Sequence, residues 1–365
     1  MVFSMKKLRT GIIGCGKVAD FHAQIYTRLD NSNFVAVCDR HIEKAKSFAA
    51  KYGVKAYSNI TTMITECNLD VVSICTPHPV HRVGAVEAAE CGCNVLIEKP
   101  LAVSVSDCDA IIAAGEKNHV TIGTIVQRRY YNPCKRMKKA IDDGKIGKPI
   151  IGELVMLGWR SKEYYETDPW RGTWKGEGGG VLVTQAIHQL DLLQWFMGSD
   201  IDEVYGIWKN YNHPTIEVED TAAAIVKFKS GAIATVLASN SQNPALYGKV
   251  HIFGDNGASI GVQTDGGSMF IAGVSKITEA PYNDLWTIPG EENNLGIMKN
   301  EDEKAFFRVD SMLHSHELQI DEFLQAIIEG KKPAVYAKEG KKSVVLFEAI
   351  YTCTATNQVV KVNTK

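Results

Sequence analysis

Leu8-Arg-Thr-Gly-Ile-Ile-Gly-Cys-Gly-Lys-Val-Ala-Asp20 carries an apolar run, Gly11-Ile12-Ile13, into Gly14-x-Gly16-x-x-Ala19, and a helical pattern follows. A strand, a tight glycine turn and a helix in that order form the dinucleotide-binding fingerprint in its G-x-G-x-x-A form. Gly14 permits the turn. Gly16 lets the backbone approach a pyrophosphate with no Cβ in the way. Ala19 is small enough for the helix to lie against the strand. The free N–H groups and positive dipole end of the helix then face the phosphates. The glycine pattern alone is weak evidence, since many such patterns are loops or bare strand-to-helix turns, so the flanks decide. A second strand, Phe34-Val35-Ala36-Val37-Cys38, ends in Asp39, 23 residues after Gly16. A carboxylate there accepts hydrogen bonds from the adenosine ribose and repels a 2′-phosphate, which favours NAD. Arg40 beside it is the kind of residue that holds that phosphate, so NADP stays open.

Outward from this turn, strand and helix patterns alternate up to about residue 125. Residues 41–52 have helical spacing and stop at Gly53. Asp70-Val71-Val72-Ser73-Ile74-Cys75 is a buried-strand run ending in Thr76-Pro77. Residues 80–90 read as helix and 94–97 as strand, the latter running into Glu98-Lys99-Pro100. Residues 104–118 are helical again, and 120–123 form a strand. Such alternation implies a mostly parallel sheet, whose ligands sit beyond the carboxyl ends of the strands. Past residue 127 the pattern changes. A helix at 133–143 precedes strands at 150–158, 203–210, 221–228, 231–239, 248–254 and 257–262, with a hairpin signal at Ser230-Gly231. Residues 178–197 read as one glycine-led helix, 280–304 as polar and irregular, and 315–329 and 340–356 as late helices. The expected fold class is α/β, with a second α+β domain built on a large, mainly antiparallel open sheet. The expected domains are 1–127, for the dinucleotide, and 128–365, for substrate and oligomerisation. The last helices are free to pack back on the first domain.

The chain has 365 residues, 45% hydrophobic and 22% charged, with net charge −2, as in ordinary soluble proteins. That balance gives no sign of nucleic acid or an acidic membrane as partner. No run is long enough to span a bilayer, and the start lacks the apolar core of a secretory signal. The nine cysteines form no framework; Cys91-Gly92-Cys93 lacks the spacing of a zinc or redox pair. Free structural thiols and a cytoplasmic protein are expected.

Lys99 is the first candidate for chemistry. It follows a strand at the ligand edge of the sheet, where an ammonium can stabilise an alkoxide formed on hydride loss; a surface pair with Glu98 is the competing reading. The second is Gly178-Gly179-Gly180 leading to Thr184, His188 and Asp191 at helical spacing. His188 can accept a proton near neutral pH, although a lone histidine on a packed helix is often only a satisfied core group. His188 and Asp191 are too few for a metal site, and no metal is expected. His81 either contacts the nicotinamide ribose or caps the helix it begins. Trp159, Arg160, Tyr164, Tyr165, Trp170, Arg171 and Trp174 supply aromatic faces for sugar C–H groups and guanidinium groups for anions. The same stretch fits an interdomain or subunit contact.

In this order, Gly14-Cys15-Gly16, Thr76-Pro77 with His81, Glu98-Lys99-Pro100 and Gly178-Gly179-Gly180 with His188 and Asp191 resemble the Gfo/Idh/MocA oxidoreductases. That is the glucose–fructose oxidoreductase and inositol dehydrogenase family, and the resemblance runs over nearly the whole chain. It implies a Rossmann domain and a C-terminal domain whose open sheet builds dimers or tetramers. It further implies NAD(P)-dependent oxidation or reduction of a ring carbinol of a sugar, cyclitol or nucleotide-sugar. On this resemblance Lys99 and His188 are catalytic, and Thr184 completes the expected catalytic set. Members commonly place Asp four residues before the histidine; here Thr184 stands there. A hydroxyl bonds imidazole but lends no charge to imidazolium, which shifts proton work toward Lys99. Expected cofactor contacts are Gly14, Gly16, Lys17, Val18, Asp39, Arg40, Thr76, Pro77, His81, Glu98 and Lys99. Expected substrate contacts are Lys99, Arg128, Tyr130, Trp159, Arg171, Trp174, Gln185 and His188. Two alternatives remain open: a glycosidase that oxidises the ring transiently with NAD, and a non-catalytic NAD-binding regulator.

Overall fold

The first strand, β1 (Leu8–Ile13), lies at the centre of a six-stranded sheet. Its companions are β2 (Ser32–Cys38), β3 (Lys55–Tyr57), β4 (Val71–Ile74), β5 (Asn94–Ile97) and β6 (Ile122–Thr124). The order is β3-β2-β1-β4-β5-β6, and every pair is parallel. Strand order therefore reverses between β1 and β4, which opens a crevice at their carboxyl ends. All four residues of β4 are buried, as its unbroken run of apolar and small residues requires in a sheet covered on both faces. Local chemistry sets the helix ends. The Ser104 hydroxyl accepts the N–H of Asp107 to start Val105–Lys117, and left-handed Gly53 (φ 68°) ends Ile42–Tyr52.

The computed structural model describes residues 6–266 and 277–362. The chain divides into two units, residues 1–127 with 313–344 and residues 128–312 with 345–365. In the first unit, helix His314–Glu329 brings Ile320, Phe323 and Leu324 into the core that contains Leu8, Ile12, Val37 and Leu96. The spacing is one apolar helical face. Gly123 of β6 is glycine because a Cβ there would stand 2.6 Å from the Phe323 ring.

The second unit holds an eight-stranded sheet. Its strands are β7 (Pro149–Leu157), β8 (Ile201–Lys209), β9 (Thr221–Phe228), β10 (Ile233–Ser239), β11 (Tyr247–Gly254), β12 (Ser259–Asp265), β13 (Tyr282–Trp286) and β14 (Val360–Lys361). They run in the order β13-β12-β11-β7-β10-β9-β8-β14, with only β7 and β10 parallel. One face is covered. Helix Ile187–Met197 lies on it so closely that a Cβ on Gly152 would stand 2.7 Å from Leu193. The other face presents Ile151, Tyr205, Ile207, Ile225, Ile233 and Leu237, each at least 40% exposed.

Two expectations need correction. The stretch 178–197 is not one helix but two, Val181–Thr184 and Ile187–Met197. The Ala186 N–H reaches back to the Val181 carbonyl at 2.8 Å, a five-residue step that widens the turn. The segment 280–304 is not irregular: it holds β13 and helix Leu295–Phe306. Its polar residues conceal this because they have internal partners. The Asn283 amide donates to the Gly261 carbonyl (2.9 Å), and Asp302 pairs with Arg136 (2.9 Å).

Phe323→Ala should lower stability by about 3–5 kcal/mol through the cavity it leaves in the first unit. Urea unfolding followed by circular dichroism measures this; a loss under about 1 kcal/mol would show that the helix is not part of that core.

Candidate active site

The turn after β1 is built from close contacts on one side and open space on the other. Gly14 sits at φ 91°, and a Cβ there would lie 2.8 Å from the Cys75 backbone. That glycine serves the fold. Gly16 differs: the nearest atom to its Cβ position is the Cys75 carbonyl oxygen at 3.9 Å. Packing does not forbid a side chain at Gly16, so the open space above helix Lys17–Arg28 is what its absence preserves. The Thr76 hydroxyl, at the end of β4, is buried with no hydrogen-bond partner. Thr76 and Pro77 thus stand where the strand order reverses. Asp39 follows β2, nearly buried, and accepts the N–H groups of Cys15 and His41 at 3.0 Å each. Burial pushes its carboxyl up, but these donors and Lys44 outweigh that and hold it below its ordinary value. Lys17 and Val18 open the helix, and Arg40 is exposed with its Nε on His41 (3.1 Å). An open glycine, an orphaned hydroxyl and a fixed carboxylate together fit a dinucleotide. Cys15 and Cys38 in the same turn region are inert, since burial pushes both thiols up to about 12.

Lys99 leaves the end of β5 through a cis bond to Pro100. Its N–H donates to Glu98 Oε2 at 3.1 Å. Glu98 is 5% exposed, and its other oxygen meets His22 Nε2 at 2.9 Å and His316 Nε2 at 3.6 Å. Burial works against the charge, yet these imidazoles hold the carboxyl well below its ordinary value. Behind His22 stand the Ser73 hydroxyl (2.9 Å) and, bonded to it, the Tyr26 hydroxyl (2.6 Å). Glu98 is therefore the hub of an internal network. His81 is fully buried, its ring nitrogens 2.9 Å from the Pro100 carbonyl and 3.0 Å from the Thr76 carbonyl. It ties the two loops together, and burial pushes its imidazole below the ordinary value.

In the second unit, His188 sits on the first turn of helix Ile187–Met197 and is 8% exposed. Asp191, one turn on, is held bidentately by Arg129 at 2.7 and 2.8 Å. The Thr184 hydroxyl donates toward the Gly180 carbonyl (2.8 Å) and lies against the Gln185 side-chain oxygen. Gln185 joins Asn240 (2.8 Å) and the Tyr164 hydroxyl (3.1 Å). Arg128 grips Asp265, and Tyr130 lies under the Lys135 ammonium at 5.2 Å. The Trp159 ring rests on His213 at 5.5 Å, and Arg171 stacks on Tyr164 at 4.4 Å. Trp174 packs instead with Trp208 (5.5 Å) and Tyr351 (5.2 Å). Gln185, Arg171 and Tyr164 thus form one cluster, while Arg128, Tyr130 and Trp174 belong to others. Among the described residues no group of His, Cys, Asp and Glu could hold a metal ion.

Sequence reasoning passed over Glu219 and Tyr351. Glu219 is fully buried and accepts the N–H groups of Gly180 (2.8 Å) and Leu182 (3.0 Å) and the Tyr351 hydroxyl (2.9 Å). This pair explains the glycines. A Cβ on Gly179 would stand 2.2 Å from the Tyr351 oxygen, and one on Gly180 would stand 1.8 Å from the Glu219 carbonyl oxygen. Burial is the strongest influence on Glu219 and pushes its carboxyl up to about 7 against those donors.

Residues 8–125 match the oxidoreductase family with an NAD-binding Rossmann fold, and residues 134–260 match the GFO/IDH/MocA C-terminal domain. The chain belongs to the GFO/IDH/MocA family, and it is an NAD-binding oxidoreductase. Myo-inositol 2-dehydrogenase of Thermotoga maritima is 25% identical over 346 residues, 93% of this chain and 94% of that protein. D-glucoside 3-dehydrogenase of Escherichia coli is 26% identical over 245 residues, 62% of this chain and 68% of that protein. In fold, the chain is similar to the WlbA dehydrogenase of Bordetella pertussis, crystallised with NADH and UDP-GlcNAcA. The TM-score is 0.81 at 24% identity, over 99% of this chain and 100% of that one.

Gly16→Ala should leave the thermal unfolding midpoint unchanged and weaken NAD binding at least about tenfold by calorimetry; unaltered affinity would remove Gly16 from the cofactor site. Glu219 affects stability with a definite sign. The folded chain keeps its proton up to about pH 7, while the unfolded chain releases it near 4.5, so stability present below 4.5 is lost as pH rises through about 7. In denaturant titrations over that window, Glu219→Gln should flatten the slope; a slope equal to that of wild type would refute the assignment.

Proposed function

We propose that this chain is a dehydrogenase acting on a ring carbinol of a pyranose-like sugar or a cyclitol. The observation that carries the reading is Lys99 at the carboxyl end of β5, in the sheet that carries the Gly14–Gly16 turn, its backbone fixed by buried Glu98. NAD, when bound, supplies the hydride acceptor or donor. Lys99 donates a hydrogen bond to the substrate hydroxyl and stabilises the alkoxide as the hydride departs. His188 shares the proton traffic. The Thr184 hydroxyl brings no charge to it, so Lys99 bears the larger part. Substrate contacts are assigned to Gln185 and Arg171, whose cluster includes the aromatic face of Tyr164, and to Trp159. The relatives named for inositol and for a D-glucoside support this substrate range. Asp39 supports NAD over NADP, since a buried carboxylate held by two N–H groups repels a 2′-phosphate.

The exposed apolar face of the eight-stranded sheet supports a homo-oligomer, because water-facing isoleucines on neighbouring strands favour burial against a second copy. Nine free thiols support a reducing, cytoplasmic location. No helix among the described residues is long and apolar enough to cross a membrane.

The test follows reduced nicotinamide in the near ultraviolet with inositols, free sugars, glycosides and nucleotide-sugars. A substrate-dependent rise is expected, and Lys99→Ala should lower turnover by about 10²–10⁴-fold with NAD affinity retained. Near-normal turnover would remove Lys99 from the chemistry. Release of free sugar without accumulated NADH would indicate the glycosidase route instead.

A further inference from the structure

The second unit holds five buried or half-buried arginines, and four of them sit on carboxylates. Arg129 holds Asp191 at 2.7 and 2.8 Å, and Arg136 holds Asp302 at 2.9 Å on both oxygens. Arg128 grips both oxygens of Asp265. Arg171 has Asp168 at 3.5 Å and Glu177 at 3.8 Å. Arg160 is the exception. It is 4% exposed and, among the described residues, has no carboxylate within ion-pair distance. Its Nη1 donates to the Trp159 carbonyl at 3.0 Å and the guanidinium also hydrogen-bonds the Tyr164 side chain, while its Nε is sealed from water and meets no acceptor. Asp265 is the acid whose field reaches it, but both Asp265 oxygens are taken by Arg128 and one also by the Gln189 amide. A guanidinium keeps its proton, and a buried charge without a partner is costly. The missing partner is an anion that arrives from outside the chain.

A second orphan lies beside it. The Arg160 N–H donates to the Asn240 carbonyl at 3.1 Å, and the Asn240 side-chain oxygen is buried with no donor. The Asn240 amide nitrogen is spent on Gln185 (2.8 Å). Gln185 in turn binds the Tyr164 hydroxyl, and the Arg160 guanidinium lies 5.0 Å from the centre of the Tyr164 ring. A cation without a carboxylate partner and an acceptor without a donor therefore share one cluster, tied to the residue three positions before His188. A phosphodiester brings only acceptors and would meet the Asn240 oxygen unfavourably. A planar carboxylate flanked by hydroxyls satisfies both orphans. The acid takes the guanidinium edge, and a hydroxyl donates to Asn240.

We propose that Arg160 binds the carboxylate of a sugar acid and that the Asn240 side-chain oxygen accepts a hydroxyl of the same molecule. The substrate is then a uronic-type pyranose rather than a neutral one. This rests on the reading above that the chain takes a sugar carbinol, and it names the substituent that carbinol's ring must bear.

Calorimetry on the full chain with NAD present, using methyl α-D-glucuronide and methyl α-D-glucoside as matched probes, decides it. Wild type should bind the acid at least about tenfold more tightly than the glucoside. Arg160→Met should erase that preference and leave NAD affinity unchanged, and Arg160→Lys should retain part of it. Equal affinity for the two probes in wild type, or binding of neither, overturns the proposal. So does a fall in NAD affinity in Arg160→Met, which would assign the guanidinium to a cofactor phosphate. If Arg160→Met fails to fold, the wild-type comparison still decides. Preferential binding of the acid without turnover of any sugar would sink the dehydrogenase reading alone. Turnover of neutral sugars with no preference for the acid would sink this proposal alone.

Discussion

The contact between Gly14 and the Cys75 backbone is the constraint from which the first unit takes its form. β1 and β4 are neighbours, and strand order reverses between them, so the chain must turn out of β1 directly over the end of β4. A Cβ 2.8 Å from Cys75 would push those strand ends apart. With glycine there, the turn closes and helix Lys17–Arg28 starts over the crevice. Thr76 and the loop after β5 then follow at the same edge. The two glycines of the fingerprint divide the work: one allows the sheet to close, the other keeps room for what the sheet binds.

Buried polar groups do the rest of the positioning, by being satisfied within each unit. Glu98 collects two imidazoles and one backbone N–H, which fixes the residue next to it. Glu219 collects two backbone N–H groups and a phenol, which fixes the start of the segment that leads to His188. In both cases a carboxylate that would be costly to bury alone becomes a bracket for a loop. Arg160 breaks this pattern, and that contrast gives it meaning: in a unit that pairs its other buried and half-buried guanidinium groups with carboxylates, one is left for the proposed ligand.

Local patterns made much of the fold readable. The parallel sheet followed from apolar runs alternating with helical spacing, and the hairpin from Ser230-Gly231, because both are set within a few residues. The strand Tyr282–Trp286 and helix Leu295–Phe306 were hidden because their polar residues find partners far along the chain. The helix break before His188 was hidden for the same reason. Its sequence has good helical spacing, and the Gln185 side chain at the widened turn is bonded to Asn240 and Tyr164, 55 and 21 residues away.

By itself the sequence determined the dinucleotide turn, the lysine at the end of β5, the histidine on its helix and the family to which they belong. These are short-range facts, since each depends on residue types at fixed spacing. Tertiary structure alone decided which side chains are spent on internal partners. Glu219 lies 39 residues from Gly180 and 132 from Tyr351, and no local pattern links them. Whether Arg128 or Arg160 retains an unmet charge is likewise invisible in sequence. Both are arginines among aromatic residues, and only folding brings Asp265 to one and, among the described residues, no carboxylate to the other.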